Sequence, residues 1–212
     1  PRLYRPLFAE FKPMFLATAA RAHALGEHGK QYAGILIYAG LEATDLFTRA
    51  EMTEALATLG ERGLEQAAHT LVDALESAGE QRSSYWDNRI KPFIERHWPR
   101  AAALRTPAIS EQFARLCVAS GASFPEAFAT LHDWLMPSEG HDMLPRKLAE
   151  SGLCQTHPEM ALQLLSVVIG DDPQWPPHQL RECLDQIQLA DDALSRDHQF
   201  QRLDQLLRRH GR

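Results

Sequence analysis

The sequence has little cysteine, and its three cysteines lie far apart. Cys117, Cys154 and Cys183 are odd in number and include no CxxC pair. Disulfide frameworks and zinc ribbons use paired or closely spaced cysteines, so neither is expected here. We predict three buried free thiols in a reducing compartment, with no metal bound to them.

Long apolar runs are also missing. No stretch of eighteen apolar residues occurs, and the most apolar stretch, residues 32–41, is too short to cross a bilayer. Residues 1–4 show neither the apolar core nor the cleavage site of a secretory signal. These features predict a cytoplasmic protein without a membrane partner. Because the sequence does not begin with methionine, we also expect a fragment of a longer chain.

Positive charge is too scattered for a general nucleic-acid binder. The net charge is −6, from 22 basic and 28 acidic side chains. Residues 1–106 carry 13 of each sign, whereas residues 107–212 carry 9 basic and 15 acidic side chains. Phosphate binding needs a clustered basic face. The sequence therefore leaves room only for a local basic face.

Alternation of apolar and polar residues is almost absent, and the apolar residues recur with a helical period. One predicted helix, residues 64–77, has a continuous apolar face formed by Leu64, Ala67, Ala68, Leu71 and Leu75. A hydroxyl residue three positions before a carboxylate predicts a reciprocal capping box at a helix start. Three such pairs occur: Thr48 with Glu51, Ser123 with Glu126, and Thr156 with Glu159.

Short connections between these helices place neighbours antiparallel. The dipeptides Pro125-Glu126 and Pro158-Glu159 lie 33 residues apart, which is the length of a helix-pair repeat. We therefore predict an all-α fold of stacked antiparallel helix pairs that forms a short irregular α-solenoid, with a compact helical bundle as the alternative. The chain is expected to form one helical domain, 1–212, or two lobes, 1–105 and 106–212.

Common motifs for phosphate, metal and nucleophile chemistry are missing as well. The sequence contains no GxGxxG, P-loop, HExxH, GxSxG or EF-hand pattern. The doublets His132-Asp133 and His141-Asp142 could contribute ligands to a catalytic metal. Their predicted positions, on a helix surface and in a polar turn, favour surface and capping roles. We expect no catalytic, cofactor-binding or metal-binding residue in this segment.

One stretch, residues 81–105, concentrates both cations and aromatic rings, and we call it the basic-aromatic segment. Its candidate binding face consists of Arg82, Arg89, Lys91, Arg96 and Arg100. Guanidinium groups and aromatic planes together can hold a phosphate backbone and stack on bases. Helical spacing nevertheless puts the rings on one side with apolar residues, so the main interpretation places them in the core. Pro92 is expected to kink this helix.

Several short sequence segments resemble segments of a known protein family. They are Tyr85-Trp86-Asp87-Asn88-Arg89-Ile90-Lys91-Pro92-Phe93, Trp98-Pro99, Phe124-Pro125-Glu126-Ala127, Ser151-Gly152-Leu153-Cys154, Trp175-Pro176-Pro177 and Phe200-Gln201-Arg202-Leu203. Over residues 26–211 the chain resembles the helical C-terminal region of large bacterial anti-phage defence proteins, especially those with an N-terminal sirtuin-type NAD-hydrolysing domain. The resemblance implies a sensor or assembly portion of a longer chain. It transfers no catalytic residue, because nothing here matches a sirtuin NAD site.

Three functional hypotheses follow from the sequence. The first is a non-catalytic helical-repeat interaction module, which binds a protein partner or self-associates. The second is a nucleic-acid-binding accessory domain that uses the basic-aromatic segment. The third is a cryptic metal-dependent hydrolase. The first is favoured, because helical repeats expose extended surfaces for binding proteins.

Overall fold

The computed structural model describes residues 10, 12–14, 16–17, 21, 27–42, 46–138, 143–171 and 176–211. These residues form helices joined by turns and contain no strand, which confirms the predicted all-α class. The α-helices are α1 (Glu27–Glu42), α2 (Arg49–Thr58), α3 (Gly60–Ser77), α4 (Arg82–Tyr85), α5 (Lys91–His97), α6 (Pro107–Ala119), α7 (Phe124–Leu131), α8 (Met143–Glu150), α9 (Leu153–Thr156), α10 (Pro158–Ile169), α11 (Leu180–Ala190) and α12 (His198–Arg209). A π-helical turn, Trp86–Ile90, joins α4 to α5. None of the described helices combines the length and the apolar composition that a bilayer crossing requires.

Contacts divide the chain into two compact units, Pro1–Ile109 (unit 1) and Ser110–Arg212 (unit 2). Within unit 1, α1 packs along α3, and α2 contacts both α3 and α5. Within unit 2, α11 contacts α8, α9, α10 and α12, so the packing of this unit converges on one helix. The stacking of helix pairs in a row and the division into lobes at residue 105 stay predictions.

One of the three predicted capping boxes forms, at the start of α2. The Thr48 hydroxyl accepts a hydrogen bond from the Glu51 amide at 3.2 Å, and the Glu51 carboxylate accepts one from the Thr48 amide at 2.8 Å. Lys12 adds an ion pair to this carboxylate at 2.7 Å. The lysine and the Thr48 donors lower the pKa of Glu51 to about 2. Hydrogen bonds and charge therefore fix this helix start together.

The other two predicted boxes are wrong. Ser123 ends a 3-10 turn, and its hydroxyl caps none of the first amides of α7. Thr156 is the last residue of α9, and its hydroxyl donates to the Gly152 carbonyl at 3.2 Å. A capping residue needs an extended backbone that turns its side chain towards the free amides, and neither residue has one. Both helices begin instead with a proline in the first turn, which has no amide hydrogen to satisfy.

The predicted apolar face of α3 lies in the core of unit 1. All five of its members are fully buried, namely Leu64, Ala67, Ala68, Leu71 and Leu75. On the neighbouring helix α1, a Cβ added at Gly40 would lie 2.5 Å from Cε2 of Phe93 and 2.9 Å from Cε of Met52. Glycine at this position therefore allows α1 to approach α2 and α5 closely.

In unit 2, residues 135–138 form a connection that is hydrogen-bonded to both α6 and α10. The buried Ser110 hydroxyl donates to the Met136 carbonyl at 2.9 Å and accepts from the Met136 amide at 2.8 Å. The Ser138 amide donates to the Val168 carbonyl at 3.2 Å, in the last turn of α10. One buried hydroxyl thus satisfies both polar groups of a backbone unit that would otherwise be costly to bury.

Arg202, from α12, completes the C-terminal end of α10. Its Nη2 donates to the Ser166 carbonyl at 2.7 Å, and its Nη1 donates to the Gly170 carbonyl and pairs with Asp171. Gly170 has a φ of 67°, and a Cβ there would lie 2.9 Å from Cβ of Pro137. Glycine is therefore required at this helix end, both for the left-handed backbone and for the close approach.

The three cysteines are buried free thiols, as the sequence predicts. Cys183 donates to the Pro145 carbonyl at 3.1 Å. A hydrogen bond with the Cys154 thiol and then burial raise the pKa of Cys183 above its usual range, and burial alone does so for Cys117. Protonated buried thiols are poor nucleophiles, so Cys183 and Cys117 serve packing in this structure.

Leu71→Ala tests the core of unit 1. We expect the free energy of unfolding to fall by about 2–5 kcal/mol, because Leu71 is 0% exposed and its removal leaves a cavity. Arg62→Ala, at an exposed position of the same helix, should change the free energy by less than about 0.5 kcal/mol. Urea unfolding followed by circular dichroism measures both. A similarly small loss for Leu71→Ala would contradict the buried face.

Candidate functional site

Three of the four aromatic rings of the basic-aromatic segment face the core, and the fourth, Tyr85, is half-buried. The residues that share the apolar side at helical spacing are all buried, namely Trp86, Ile90, Phe93, Ile94 and His97. Trp98 is likewise only 3% exposed. The interpretation as core residues is therefore confirmed for Trp86, Phe93 and Trp98, but not for Tyr85. The three buried rings are not available as a surface on which bases could stack.

The helix of this segment widens just before Pro92. The Lys91 amide donates to the Trp86 carbonyl, five residues earlier, as in a π-helix. The Asn88 side-chain amide donates to the Ser84 carbonyl at 2.8 Å, which gives that carbonyl a partner beside the π turn. Proline cannot donate a backbone hydrogen bond. The irregularity that Pro92 predicts is therefore a π turn in front of it rather than an interruption of the helix.

Arg89, one of the predicted binding residues, is used within the fold. Its Nη1 donates to the Leu41 carbonyl at 3.1 Å, in the last turn of α1. One turn earlier, the Tyr85 hydroxyl donates to the Glu42 carboxylate at 3.5 Å. Burial, followed by the Glu42 charge, raises the pKa of Tyr85. Arg89 thus supplies a donor at the C-terminal end of α1, where backbone carbonyls lack partners within the helix, and Tyr85 adds a long hydrogen bond to a side chain there.

The other predicted binding residues lie in different environments. Arg82, Arg96 and Arg100 are exposed, whereas Lys91 is half-buried. Nη2 of Arg100 donates to the Glu95 carbonyl at 3.4 Å, which is a long hydrogen bond. Three exposed guanidinium groups are thus present on this segment, and ligand binding by them stays a prediction.

His97 is a buried histidine between cations. It is 4% exposed, packs against the Phe93 ring at 5.4 Å between centroids, and forms a hydrogen bond with the Arg49 backbone. Burial, followed by the positive charge of Arg96, lowers the pKa of His97 to about 4. The imidazole is therefore neutral at pH 7, and it contributes to packing rather than to charge.

The two histidine-aspartate doublets supply no metal site in the part of the chain that the structure describes. Nδ1 of His132 lies 3.8 Å from Oδ1 of Asp133, and both side chains are largely exposed. Among the described residues, no group of three or more potential metal ligands occurs. The second doublet, His141-Asp142, lies outside the described residues.

An open groove of about 430 Å³ runs between α7 and α10 in unit 2. It is lined by Pro125, Phe128, Ala129, His132, Asp133, Glu159, Met160 and Gln163. Its accessible apolar part includes Pro125, Ala129 and Met160, whereas Phe128 is only 6% exposed. Its polar part includes two carboxylates, on Asp133 and Glu159. Its volume falls in the range of known ligand clefts.

The sequence does not predict which residues line the groove. One sequence feature nevertheless marks the two helices that form its walls. Both copies of the repeated Pro-Glu phrase occur in the first turns of α7 and α10, which are the two walls. The histidine-aspartate doublet that was considered as a metal ligand lies on one wall. The repeat thus indicates equivalent helices, but periodicity cannot show that their surfaces leave an open space.

A second exposed apolar surface lies on α1 in unit 1. Ile35 and Tyr38 are each 47% exposed and are separated by one helical turn. Isolated exposed apolar residues are normal on protein surfaces. This pair is smaller than the set of residues that line the groove.

Arg89→Met distinguishes a structural arginine from a binding arginine. Methionine keeps the apolar stem and removes the donor, so the free energy of unfolding should fall by about 1–3 kcal/mol. The matched control is Arg82→Met, at an exposed position of the same continuous helix, with an expected change below about 0.5 kcal/mol. Urea unfolding measures both variants. Equal effects of the two changes would mean that the Leu41 hydrogen bond contributes nothing.

The buried His97 predicts a specific pH dependence. Above pH 6.5 the imidazole is neutral in both states; between pH 6.5 and about 4 the unfolded chain binds a proton that the folded chain does not. Stability should therefore fall through this window as the pH falls, by at most about 3 kcal/mol. His97→Gln should lack this component. Unfolding free energies measured at several pH values for both proteins give the contribution of His97. Parallel pH profiles of the two proteins would mean that His97 does not contribute to the pH dependence.

Comparison with known proteins finds no match for this chain. No protein-family model, no curated protein and no solved structure matches the chain. The resemblance to anti-phage defence proteins therefore stays a prediction from the sequence. The function that this chain performs is accordingly argued from its own surfaces, and in particular from the groove between α7 and α10.

Proposed function

We propose that this chain is a non-catalytic helical interaction module that holds a protein partner in the groove between α7 and α10. The observation that carries the proposal is the composition of the groove. Accessible apolar side chains, including Ala129 and Met160, lie beside exposed polar ones, including Asp133 and Glu159. Protein interfaces commonly combine an apolar centre with a polar rim. Aromatic residues and methionine are also enriched in such interfaces.

The architecture of unit 2 supports this proposal. The groove walls are two helices, and the end of α10 is held by Arg202 and by the Ser138 amide. Phe124, at the start of α7, lies 6.1 Å from the His157 ring at the start of α10. Both walls are thus anchored outside the groove. An anchored groove loses little conformational entropy when a partner binds.

The biological context of the proposal comes from the sequence resemblance. A helical module in a large bacterial anti-phage defence protein would act as the sensor or assembly part of that protein. Binding of a protein in the groove fits either role, since sensing and assembly both require a specific protein contact. The proposed partner is accordingly a protein, with self-association as the form that assembly would take.

A nucleic-acid-binding accessory domain is the second candidate. The exposed guanidinium groups of Arg82, Arg96 and Arg100 favour it. Two observations weigh against it: the aromatic rings Trp86 and Phe93 are buried, and the net charge of −6 repels a polyanion. We therefore rank it below the interaction module.

Affinity capture with groove variants tests the proposed function. The tagged chain is incubated with extract from the source organism, and captured proteins are identified, purified and titrated. Ala129 is an exposed groove residue, so Ala129→Arg places a long side chain in the groove and should weaken binding at least about tenfold. Ala190→Arg makes the same change at an exposed position of α11, and it should leave the affinity unchanged.

Two results would contradict the proposal. A partner that binds Ala129→Arg as tightly as the unaltered chain would place the interface elsewhere. Submicromolar binding of DNA or RNA at about 150 mM salt, lost on joint replacement of Arg82, Arg96 and Arg100 by glutamate, would favour the second candidate instead. Arg89 is left unchanged in that variant because its loss would act through stability.

A further inference from the structure

We infer that the groove between α7 and α10 selects an arginine side chain on a basic segment of the protein partner. This inference rests on the proposed function and specifies the chemistry of the partner. An arginine side chain has an apolar stem of three methylene groups and a planar cationic head. The groove offers a matching pair of surfaces, since apolar atoms and carboxylates line the same recess.

The apolar surface of the groove suits the stem and the plane of arginine. The exposed His132 ring packs edge-on against Phe128, which is itself only 6% exposed, with 5.5 Å between centroids and 84° between planes. Met160 faces the same recess from α10. Methylene groups gain dispersion and hydrophobic energy on the accessible atoms of Met160, and a guanidinium plane can stack on the exposed imidazole ring of His132. A bare cation such as a metal ion would gain nothing from this half of the groove.

The carboxylates of the groove have acceptor positions for a guanidinium. Glu159 accepts a hydrogen bond from Gln163 at 3.4 Å, which is long and leaves most of its oxygen acceptors open. Asp133 lies beside His132 at 3.8 Å and is 80% exposed. The described lining contains neither lysine nor arginine, so neither of these side chains competes for its carboxylates from within the recess.

The net negative charge of the surrounding residues also favours a basic partner. Residues 107–212 carry 15 acidic and 9 basic side chains, so a basic partner is attracted and an acidic one is repelled. Arginine is favoured over lysine for a geometric reason. Its five donors form a rigid fork that can bind a carboxylate through two hydrogen bonds, whereas the lysine ammonium is a strongly hydrated point charge.

Binding of labelled peptides to the full chain tests this inference. The probes are three fluorescein-labelled alanine-based helical peptides that differ only at two positions one helical turn apart, where they carry arginine, lysine or glutamine. Fluorescence anisotropy should show the arginine peptide binding most tightly, the lysine peptide more weakly and the glutamine peptide not at all. Binding of the arginine peptide should weaken as the salt concentration rises.

A charge-matched pair of variants separates the groove from the general acidity of unit 2. Asp133→Asn with Glu159→Gln should weaken binding of the arginine peptide at least about tenfold. The control is Glu182→Gln with Asp185→Asn, which removes the same charge from α11, where both carboxylates line a separate open recess of about 410 Å³. Glu182 accepts a 3.4 Å hydrogen bond from Gln186, four residues on, as Glu159 does from Gln163. This control should change the affinity less than about twofold.

Each alternative result overturns the inference in a recognisable way. Equal weakening in both double variants would mean that the peptide responds only to net charge. Equal binding of the glutamine peptide, blocked by Ala129→Arg, would show an apolar groove without arginine selectivity and would leave the proposed function standing. Failure of the arginine peptide to bind refutes the inference directly. Self-association of the chain that is lost with Glu159→Gln would identify a second copy, rather than a partner protein, as the occupant.

Discussion

An α-helix cannot satisfy its last four carbonyl groups by itself, and two helices in this protein receive arginine donors from elsewhere in the chain. At the end of α1 the donor is Arg89, which reaches the Leu41 carbonyl. At the end of α10 the donor is Arg202, which reaches the Ser166 and Gly170 carbonyls. In each case a positive charge also meets the negative end of the helix dipole. These contacts join segments 48 and 36 residues apart in sequence, so they define packing as well as helix ends.

The need to satisfy carbonyl groups at helix ends divides the arginines discussed above into two groups. Arg89 and Arg202 are partly buried at helix ends, whereas Arg82, Arg96 and Arg100 point into solvent. A basic segment in the sequence therefore overstates the charge that is available to a ligand. The arrangement at α10 also bears on the proposed site, because the helix whose far end Arg202 holds contributes Glu159 and Met160 to the groove. A stable end of α10 fixes the wall that the partner is proposed to contact.

The sequence predicts local structure well where one residue pattern has one physical outcome. The apolar face of α3 repeats every three or four positions and is buried, and Thr48 with Glu51 forms the expected box. Ser123 and Thr156 carry the same cap pattern but fail, because proline already begins the helices that follow them and their own backbones continue the preceding turns. Spacing alone does not report which backbone conformation a hydroxyl residue adopts.

Contacts between distant segments could not be predicted from the sequence. The Arg89 contact depends on where α1 ends in space, and an exposed binding arginine has the same local sequence signature. The hydrogen bonds of Ser110 with Met136, and the meeting of the Cys154 and Cys183 thiols, likewise arise only from packing. The groove is the clearest case, since it is a space between two helix surfaces. The helices are predictable from their periods, whereas the volume they enclose is not.

The most direct test of the helix-end account compares two arginines on α12. Arg202→Met removes the donors to the end of α10 and keeps the apolar stem. Arg208→Met removes the 2.7 Å ion pair between the exposed Arg208 side chain and Asp204, four residues earlier, which still pairs with Arg181. Urea unfolding should show a loss of about 2–4 kcal/mol for Arg202→Met, because several charge-assisted hydrogen bonds to partly buried backbone carbonyls are lost. Arg208→Met should cost less than about 0.5 kcal/mol. Equal losses for the two variants would contradict the claim that arginine donors at helix ends hold this fold together.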